Sequence, residues 1–199
     1  MIIGGAQFRK VNNMRVISGT ARGRKLKELS GTDIRPTSDL VKESVFNIVQ
    51  FDIEGRRVLD LYAGTGQIGI EALSRGAAGL VFVDSDENAI KLIKDNVEKC
   101  GFMKSSVICR RDALEYLERC EPFDLIFIDP PYDSGLAGET LRKIIEFDKL
   151  NTNGIIMCEM RTTGETPAAA HPYFLQKEYV YGKVKILRYS KGEQVRSAI

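Results

Sequence analysis

The feature that most constrains the fold is an alternation of short apolar runs and amphipathic helical patterns between residues 57 and 159. Strands are predicted at residues 58–62, 80–84, 107–110, 125–129 and 155–159, with a helical pattern between each strand and the next. A strand that returns to its own sheet through a helix makes a right-handed crossover. The repeat therefore predicts a parallel sheet with helices on both faces. After Pro167 the helical period disappears, and residues 173–181 and 183–189 predict a terminal hairpin.

The composition allows one such domain with a small appendage. The chain has 199 residues, of which 43% are hydrophobic and 28% charged, and these values are typical of a packed globular domain. Its apolar runs end after a handful of residues, far short of the ~20 that span a bilayer. Residues 1–10 lack the charged start and long apolar run of a secretory signal. We therefore expect no membrane association and a cytoplasmic location.

Cysteine and histidine usage argues against metal, disulfide and hydrolase chemistry. The four cysteines, Cys100, Cys109, Cys120 and Cys158, form no C-x-x-C pair, and His171 is the one histidine. These spacings support neither a zinc site nor a disulfide framework, so we expect no metal and reduced thiols. A lone histidine far from any nucleophile motif also argues against Ser-His or Cys-His catalysis.

Basic residues are concentrated at the N-terminal end. Residues 1–27 carry seven Lys or Arg and no acid, whereas residues 28–199 carry 22 basic against 27 acidic residues. Such an arm indicates a polyanionic partner, because Lys and Arg displace counterions from phosphates. The alternative is a solvated tail without a partner.

The arm also suggests how the chain is divided. Residues 16–26 predict two short strands and a turn, and residues 38–50 predict a helix with an apolar stripe. We expect a leader or cloning remnant at 1–13, a basic extension with its helix at 14–52, and the α/β domain at 53–199.

The segment 58–69 runs from a predicted strand through a glycine-rich turn into a helix. Gly64, Gly66 and Gly69 satisfy G-x-G-x-x-G, and Asp84 ends the next strand 20 residues after Gly64. The glycines let a nucleoside ligand approach the backbone from Ala63 onward, and the carboxylate can accept hydrogen bonds from ribose hydroxyls. The pattern predicts a nucleotide-type site for either a dinucleotide or S-adenosylmethionine.

Asp60 favours the second of these ligands. It lies four residues before Gly64, beside the glycine turn. A carboxylate there would repel a pyrophosphate and attract the amino group of S-adenosylmethionine. The alternative is that Asp60 accepts hydrogen bonds from amides of the turn.

The tetrapeptide Asp129-Pro130-Pro131-Tyr132 follows an apolar strand. Two prolines stiffen a loop at the carboxyl edge of the sheet, where ligands bind in such folds. The Asp129 carboxylate and the Pro130 carbonyl could accept both N–H groups of a nucleobase amine and direct its lone pair at a methyl donor. Tyr132 could stack on the base, a contact worth about 1–3 kcal/mol. The alternative is a purely structural turn.

Two further acids follow strands at the same edge. Asp112, with Ala113, follows the third strand and could accept from an adenine amine, or could cap the next helix. Glu159 ends the fifth strand, and its position is too ambiguous for us to include it in the site.

In their order along the chain, these motifs resemble the RsmD family of class I S-adenosylmethionine-dependent methyltransferases. The resemblance covers the chain from Met14 to about Tyr189. It includes Arg-Val-Ile-Ser-Gly-x-x-Arg-Gly-Arg-Lys-Leu at 15–26, Arg-Pro-Thr at 35–37, Glu-Ser-Val-Phe-Asn at 43–47, the glycine segment at 60–66, Glu-Ala-Leu-Ser-Arg-Gly-Ala at 71–77 and the tetrapeptide at 129–132.

The resemblance implies a Rossmann-like, mostly parallel sheet of seven strands, the last antiparallel, with helices on both faces and a small N-terminal hairpin and helix. It implies direct in-line methyl transfer from S-adenosylmethionine to the N2 amine of one guanine in bacterial 16S ribosomal RNA. We expect a monomer that acts on an assembling small subunit.

The resemblance also implies roles for particular residues. The expected cofactor site consists of Asp60, Ala63, Gly64, Gly66, Asp84, Asp112 and Ala113. Asp129, Pro130 and Tyr132 are expected to position the guanine amine. The residues expected to contact RNA are Arg15, Arg22, Arg24, Lys25 and Arg35.

Three other functions fit part of the sequence. An adenine-N6 DNA methyltransferase uses the same tetrapeptide but usually needs a separate recognition domain. A nicotinamide-dependent dehydrogenase fits the glycine pattern but leaves the tetrapeptide and the basic arm without a role. A non-catalytic RNA-binding module would not require Asp60, Asp84 and Asp129.

Overall fold

The computed structural model describes residues 14–28, 39–132 and 134–192 of the chain. Within these ranges it contains one seven-stranded sheet and five α-helices. The strands are β1 (Arg57–Leu61), β2 (Gly79–Asp84), β3 (Ser106–Arg110), β4 (Phe123–Ile128), β5 (Leu150–Arg161), β6 (Tyr173–Tyr181) and β7 (Val184–Lys191). The helices are α1 (Asp39–Ile48), α2 (Gln67–Ser74), α3 (Glu87–Cys100), α4 (Ala113–Arg119) and α5 (Leu136–Glu146).

The sheet has the strand order β3-β2-β1-β4-β5-β7-β6. Strands β1 to β5 pair in parallel, whereas β7 is antiparallel to both β5 and β6. The order reverses between β1 and β4, because the chain moves outward through β2 and β3 before it returns to the other side of β1. Ligands of open α/β sheets bind in the crevice at such a point, beyond the carboxyl ends of the strands.

Two apolar layers hold the helices against the sheet. Alternate side chains of a strand point to opposite faces, and Val58 and Leu59 accordingly belong to different buried clusters. The first cluster joins the sheet to α1, α2 and α3, and the second joins it to α4 and α5. The predicted fold, a mostly parallel seven-stranded sheet with helices on both faces, is confirmed.

Residues 14–28, which we call the arm, pack on the same face as α1 to α3. Met14, Val16, Ala21 and Leu26 are buried in the first cluster. The predicted hairpin is present only as an isolated antiparallel bridge between Arg15 and Lys25, because glycines and polar residues interrupt its apolar pattern. The segments predicted as a basic extension and as an α/β domain thus share one apolar core.

Some element boundaries differ from the sequence prediction. Strand β5 begins at Leu150 rather than at Ile155, since the exposed polar residues 151–153 hide its start from an apolar pattern. A short 3-10 turn over Met103–Ser105 was not predicted. The predicted leader at 1–13 and the start of the helix predicted at 38–50 lie outside the described residues.

Candidate active site

The glycine-rich turn connects β1 to α2 at the point where the strand order reverses. Gly64 and Gly66 have φ values of +53° and +76°, which only glycine adopts without strain. Gly66 is also the N-cap of α2 and, having no side chain, makes no capping hydrogen bond of its own. At Gly69 a Cβ atom would lie 2.3 Å from the Phe82 ring, so this glycine lets α2 pack closely on β2. The first two glycines thus expose backbone amides, and the third has a packing role.

Asp60 lies under this turn. Its side chain is 2% exposed, and its Oδ2 accepts a hydrogen bond of 2.9 Å from the Gly69 amide. Burial raises the pKa of the carboxyl to about 7, with a smaller contribution from the charge of Asp84, and the Gly69 bond opposes the increase. The Asp60 carboxyl therefore holds the start of α2, and burial disfavours its charged form.

Asp84, at the end of β2, lies on the other side of the turn. Its Oδ2 accepts from the Gly64 amide at 2.8 Å, and its Oδ1 accepts from the Asp86 amide at 2.9 Å. Ala63 is buried, and its amide donates to the Val83 carbonyl at 3.1 Å. Asp84 and Ala63 therefore fix the turn against β2, and the predicted cofactor residues around it are neighbours in space.

Asp112 caps α4 and is exposed. Its Oδ1 accepts from the amides of Leu114 and Glu115, at 2.8 and 3.1 Å. Both bonds use one oxygen, so Oδ2 can accept from a ligand. Ala113 is buried in the first turn of the helix. Asp112 follows β3 by two residues, and Arg110 of β3 is the register partner of Asp84, so Asp112 lies at the same edge of the sheet as Asp84.

The Asp129-Pro130-Pro131-Tyr132 loop leaves the end of β4, next to β1. Leu61 and Ile128 are register partners, so the loop and the glycine turn start side by side. Asp129 is half-buried and Pro130 is buried. Tyr132 is 37% exposed, and it borders a cleft of about 360 Å³ between the loop, the start of α5 and the end of β5. The structure brings these predicted catalytic residues to the same edge as the glycine turn.

Two residues of β5 hold the Tyr132 ring. The phenol donates a hydrogen bond of 2.5 Å to Oε1 of Glu159, and the Arg161 guanidinium lies 5.2 Å from the ring centroid. Burial, followed by the bond to Glu159, raises the pKa of Tyr132. Glu159 was left out of the predicted site. The position of Glu159 near the end of a strand that pairs with β4 is the signal that could have identified it.

The arm binds α2 and α3 mainly through its own main chain. The amides of Ile17 and Ser18 donate to the Glu71 carboxylate at 2.7 and 2.9 Å, and the Ala21 amide donates to Ser74 Oγ at 2.9 Å. The Asn96 side chain accepts from the Lys27 amide at 2.7 Å. These contacts fix the arm beside the glycine turn.

The basic side chains of the arm point outward. Arg15, Arg22, Arg24 and Lys25 are all exposed. Arg24 also donates to the Lys99 carbonyl at 2.5 Å. Arg35, the fifth predicted RNA contact, lies outside the described residues.

The described part of the chain has two further properties that bear on function. It contains no helix that is long and apolar enough to cross a membrane. In the same residues no group of three or more His, Cys, Asp or Glu side chains is placed to hold a metal ion.

The strand order of the sheet and the position of the site identify the class of protein. The structure has the Rossmann-like fold of the class I methyltransferases. It superposes on the structure named "Putative methyltransferase yhhF from Escherichia coli" with a TM-score of 0.82 and 29% identity, over 91% of this chain and 99% of that chain.

Sequence comparison then gives the family. The family described as Conserved hypothetical protein 95 matches residues 14–190. The chain is 40% identical over 182 residues to "Putative rRNA methyltransferase YlbH" of Bacillus subtilis, covering 89% of this chain and 99% of that protein. It is 31% identical over 185 residues to Ribosomal RNA small subunit methyltransferase D of Escherichia coli, covering 92% and 93% of the two chains. The chain belongs to this family, the RsmD family, as the sequence resemblance predicted.

Proposed function

We propose that this protein transfers a methyl group from S-adenosylmethionine to the exocyclic N2 amine of a guanine in 16S ribosomal RNA. One observation carries the proposal: the glycine turn and the Asp129 to Tyr132 loop leave neighbouring strands where the strand order reverses. Family membership supports ribosomal RNA as the substrate, since relatives are named as small-subunit ribosomal RNA methyltransferases.

The residues at the glycine turn fit the cofactor. Backbone with positive φ at Gly64 and Gly66 leaves room for a nucleoside, and the carboxylates of Asp84 and Asp112 can accept from ribose hydroxyls and an adenine amine. The buried Asp60 carboxylate suits an ammonium group, which would offset the cost of its burial. When bound, S-adenosylmethionine supplies a methyl group on a positively charged sulfur.

The Asp129 loop provides what the target amine needs. An exocyclic amine is a poor nucleophile because its lone pair is delocalised into the ring. The Asp129 carboxylate and the Pro130 carbonyl accept its two N–H bonds, so that the lone pair points at the methyl group. Two consecutive prolines keep these acceptors in place, and orientation supplies most of the rate. A strong general base is not required, because the amine becomes acidic as it gains the methyl group.

The exposed arm suits the nucleic acid. Arg15, Arg22, Arg24 and Lys25 would contact phosphates on one side of the cofactor turn. We infer that the protein acts as a monomer on an assembling small subunit, in the cytoplasm.

The experiment that tests the function uses small-subunit particles lacking the modification and methyl-labelled S-adenosylmethionine. We expect label in N2-methylguanosine after digestion of the RNA to nucleosides. Label in N6-methyladenine when DNA is supplied would favour an adenine methyltransferase. Particles without label, together with no binding of S-adenosylmethionine, would contradict the proposal and favour a dinucleotide ligand.

Replacing Asp129 separates catalysis from cofactor binding. We expect Asp129→Ala to lower kcat by about 100-fold, because the amine loses the acceptor that orients it. Affinity for S-adenosylmethionine should stay within about threefold, since Asp129 follows β4 and the cofactor residues follow β1, β2 and β3. Asp129→Asn keeps one acceptor oxygen and should retain more activity than the alanine variant. Near-normal turnover of Asp129→Ala would show that the loop does not position the amine.

A further inference from the structure

We infer that Glu159 is a specificity-determining residue that accepts a hydrogen bond from the N1–H group of the target guanine. The inference rests on the proposed function and names the group that distinguishes guanine from adenine. The Asp129 to Tyr132 loop alone does not make this distinction, because both bases carry an exocyclic amine.

Glu159 lies beside Asp129 at the carboxyl edge of the sheet. Ile128 of β4 and Cys158 of β5 are the last register partners of these strands, and Asp129 and Glu159 each follow them by one residue. Neighbouring strands lie about 4.8 Å apart, and paired residues of parallel strands point to the same face. Burial raises the pKa of Cys158 to about 12, and the charges of Asp129 and Glu159 add to this increase.

Cavities on two sides reach Glu159. It lines the cleft of about 360 Å³ beside Tyr132, together with Pro130 and Arg161. It also lines, together with Asp129, a small apolar cavity between the sheet and the helices α1 and α2. A base amine held at Asp129 therefore lies within reach of the Glu159 side chain.

In the part of the chain that the structure describes, no cation pairs with the buried Glu159 carboxylate. Its residue is 7% exposed, and in the described ranges the donor that reaches it is the Tyr132 phenol, at Oε1. No salt bridge to Glu159 is formed among those residues. A buried carboxylate is costly unless several donors satisfy it. This carboxylate can accept further hydrogen bonds, so it suits a ligand that donates one.

Guanine provides that donor next to its reactive amine. Its N1–H and its N2 amine are adjacent donors on one edge of the base. With the amine at Asp129, the N1–H group faces the neighbouring strand end, where Glu159 lies. Adenine has an unprotonated N1 at the corresponding position, and two acceptors facing each other repel. Glu159 thus favours guanine and disfavours adenine.

The test compares guanine with 2-aminopurine at the target position of the RNA. 2-Aminopurine keeps the N2 amine but has an acceptor at N1 in place of the N–H group. We expect the wild-type protein to prefer guanine by at least about 30-fold in kcat/KM, because an unpaired buried acceptor is costly. In Glu159→Gln the ratio should fall to within about threefold, since an amide can donate as well as accept.

Control variants exclude a merely structural role. The control Glu146→Gln changes an exposed carboxylate at the end of α5, far from the pair of Glu159 and Tyr132, so it should keep the wild-type ratio. Glu159→Asp keeps the charge, so it should keep the guanine preference with a lower kcat/KM. This variant provides the test if Glu159→Gln does not fold.

Failure of the Glu159 inference and failure of the proposed function give different results. An unchanged guanine to 2-aminopurine ratio in Glu159→Gln, or a lost preference in Glu159→Asp, would overturn the role of Glu159 alone. A wild-type protein that does not methylate guanine N2 in small-subunit particles would overturn the proposed function itself.

Discussion

At the scale of single residues, Asp60 combines a structural and a binding role. The sequence left two interpretations open, an acceptor for turn amides or a partner for an ammonium group. The bond to Gly69, in the first turn of α2, is close to the first interpretation, and it uses only one of the two carboxylate oxygens. The role of Asp60 as a partner for an ammonium group stays a prediction. The raised pKa of Asp60 allows this role to be tested through the pH dependence of cofactor binding.

Cofactor affinity should depend on pH through Asp60. With a pKa of about 7, the carboxyl is mostly protonated at pH 5.5 and half ionised at pH 7. An α-amino group with a pKa of about 7.7–8.0 stays mostly charged over this range. We expect affinity for S-adenosylmethionine, measured by calorimetry, to rise about tenfold from pH 5.5 to pH 7. In Asp60→Asn the affinity should be low at both pH values, and an unchanged pH profile would contradict the assignment.

The same variant should be more stable than the wild type. The folded pKa of Asp60 lies above the unfolded value of 3.8, so the unfolded chain loses this proton first and stability falls as pH rises from about 4 to 7. At about 1.4 kcal/mol per pKa unit, ionising this fully buried group costs on the order of 4 kcal/mol above pH 7. The stability advantage of Asp60→Asn, measured by urea denaturation, should therefore widen between pH 5 and pH 8.

The sequence predicted the tetrapeptide at 129–132 as part of the site but did not predict its neighbour Glu159. Asp129, Pro130 and Tyr132 are contiguous, so their motif was visible in the sequence. Glu159 lies 27 residues after Tyr132 and meets it only through the pairing of β4 with β5. A single acid at a strand end carries no signal without that pairing.

At the scale of elements, α2 is both the helix of the glycine turn and the attachment point of the arm. Its Glu71 is fully buried and accepts from Ile17, from Ser18 and from the side chain of Arg75 at 2.8 Å. At Gly19 a Cβ atom would lie 1.7 Å from the Ser74 carbonyl oxygen, so only glycine allows the arm this close to the helix.

Removing the Glu71 carboxylate should detach the arm. Glu71→Ala leaves two arm amides and the Arg75 guanidinium without their acceptor, which costs about 3 kcal/mol in the free energy of unfolding. We expect a lower denaturation midpoint and faster proteolysis within residues 14–28. Glu87→Ala, which removes an exposed carboxylate paired with Lys91, should leave both measurements almost unchanged. Equal proteolysis of the two variants would show that Glu71 does not hold the arm.

Elements with strong periodicity were predicted well, and irregular ones were not. A helix was predicted between the strands at 80–84 and 107–110, and α3 (Glu87–Cys100) occupies that interval and ends at Gly101. The arm has no such period, because Glu71, Ser74 and Asn96 in distant helices satisfy its amides. A pattern within the arm could not reveal acceptors that lie elsewhere in the chain.

At the scale of the whole molecule, the arm and the site differ in charge. Arg15, Arg22, Arg24 and Lys25 are exposed on the arm, while carboxylates at the carboxyl ends of β1, β2, β4 and β5 surround the site. Phosphates are attracted to the arm and repelled from the carboxylates. Under the proposed function, this arrangement would direct a polyanion to the arm and leave the site to a neutral base and a cationic cofactor.

The salt dependence of RNA binding should identify the arm as the contact. We expect Arg22→Ala combined with Lys25→Ala to weaken binding to a 16S RNA fragment and to reduce the slope of log K against log salt by about 1.5, since each phosphate contact contributes about 0.7–0.9. Arg24 is kept because it also binds the Lys99 carbonyl. Replacing Lys91 and Lys94 on α3 serves as a control for charge, and an equal change of slope in both pairs would exclude a specific role for the arm.

The attachment of the arm through its main chain has a consequence for how the family can diversify. Backbone amides of Ile17, Ser18 and Ala21 make the contacts, and Gly19 provides the close approach. The outward side chains of Arg15, Arg22 and Lys25 are not needed for those contacts. Natural variation or design can therefore exchange the outward residues and address a different RNA surface, while the catalytic sheet keeps its sequence. Substrate choice and chemistry can change independently in such a protein.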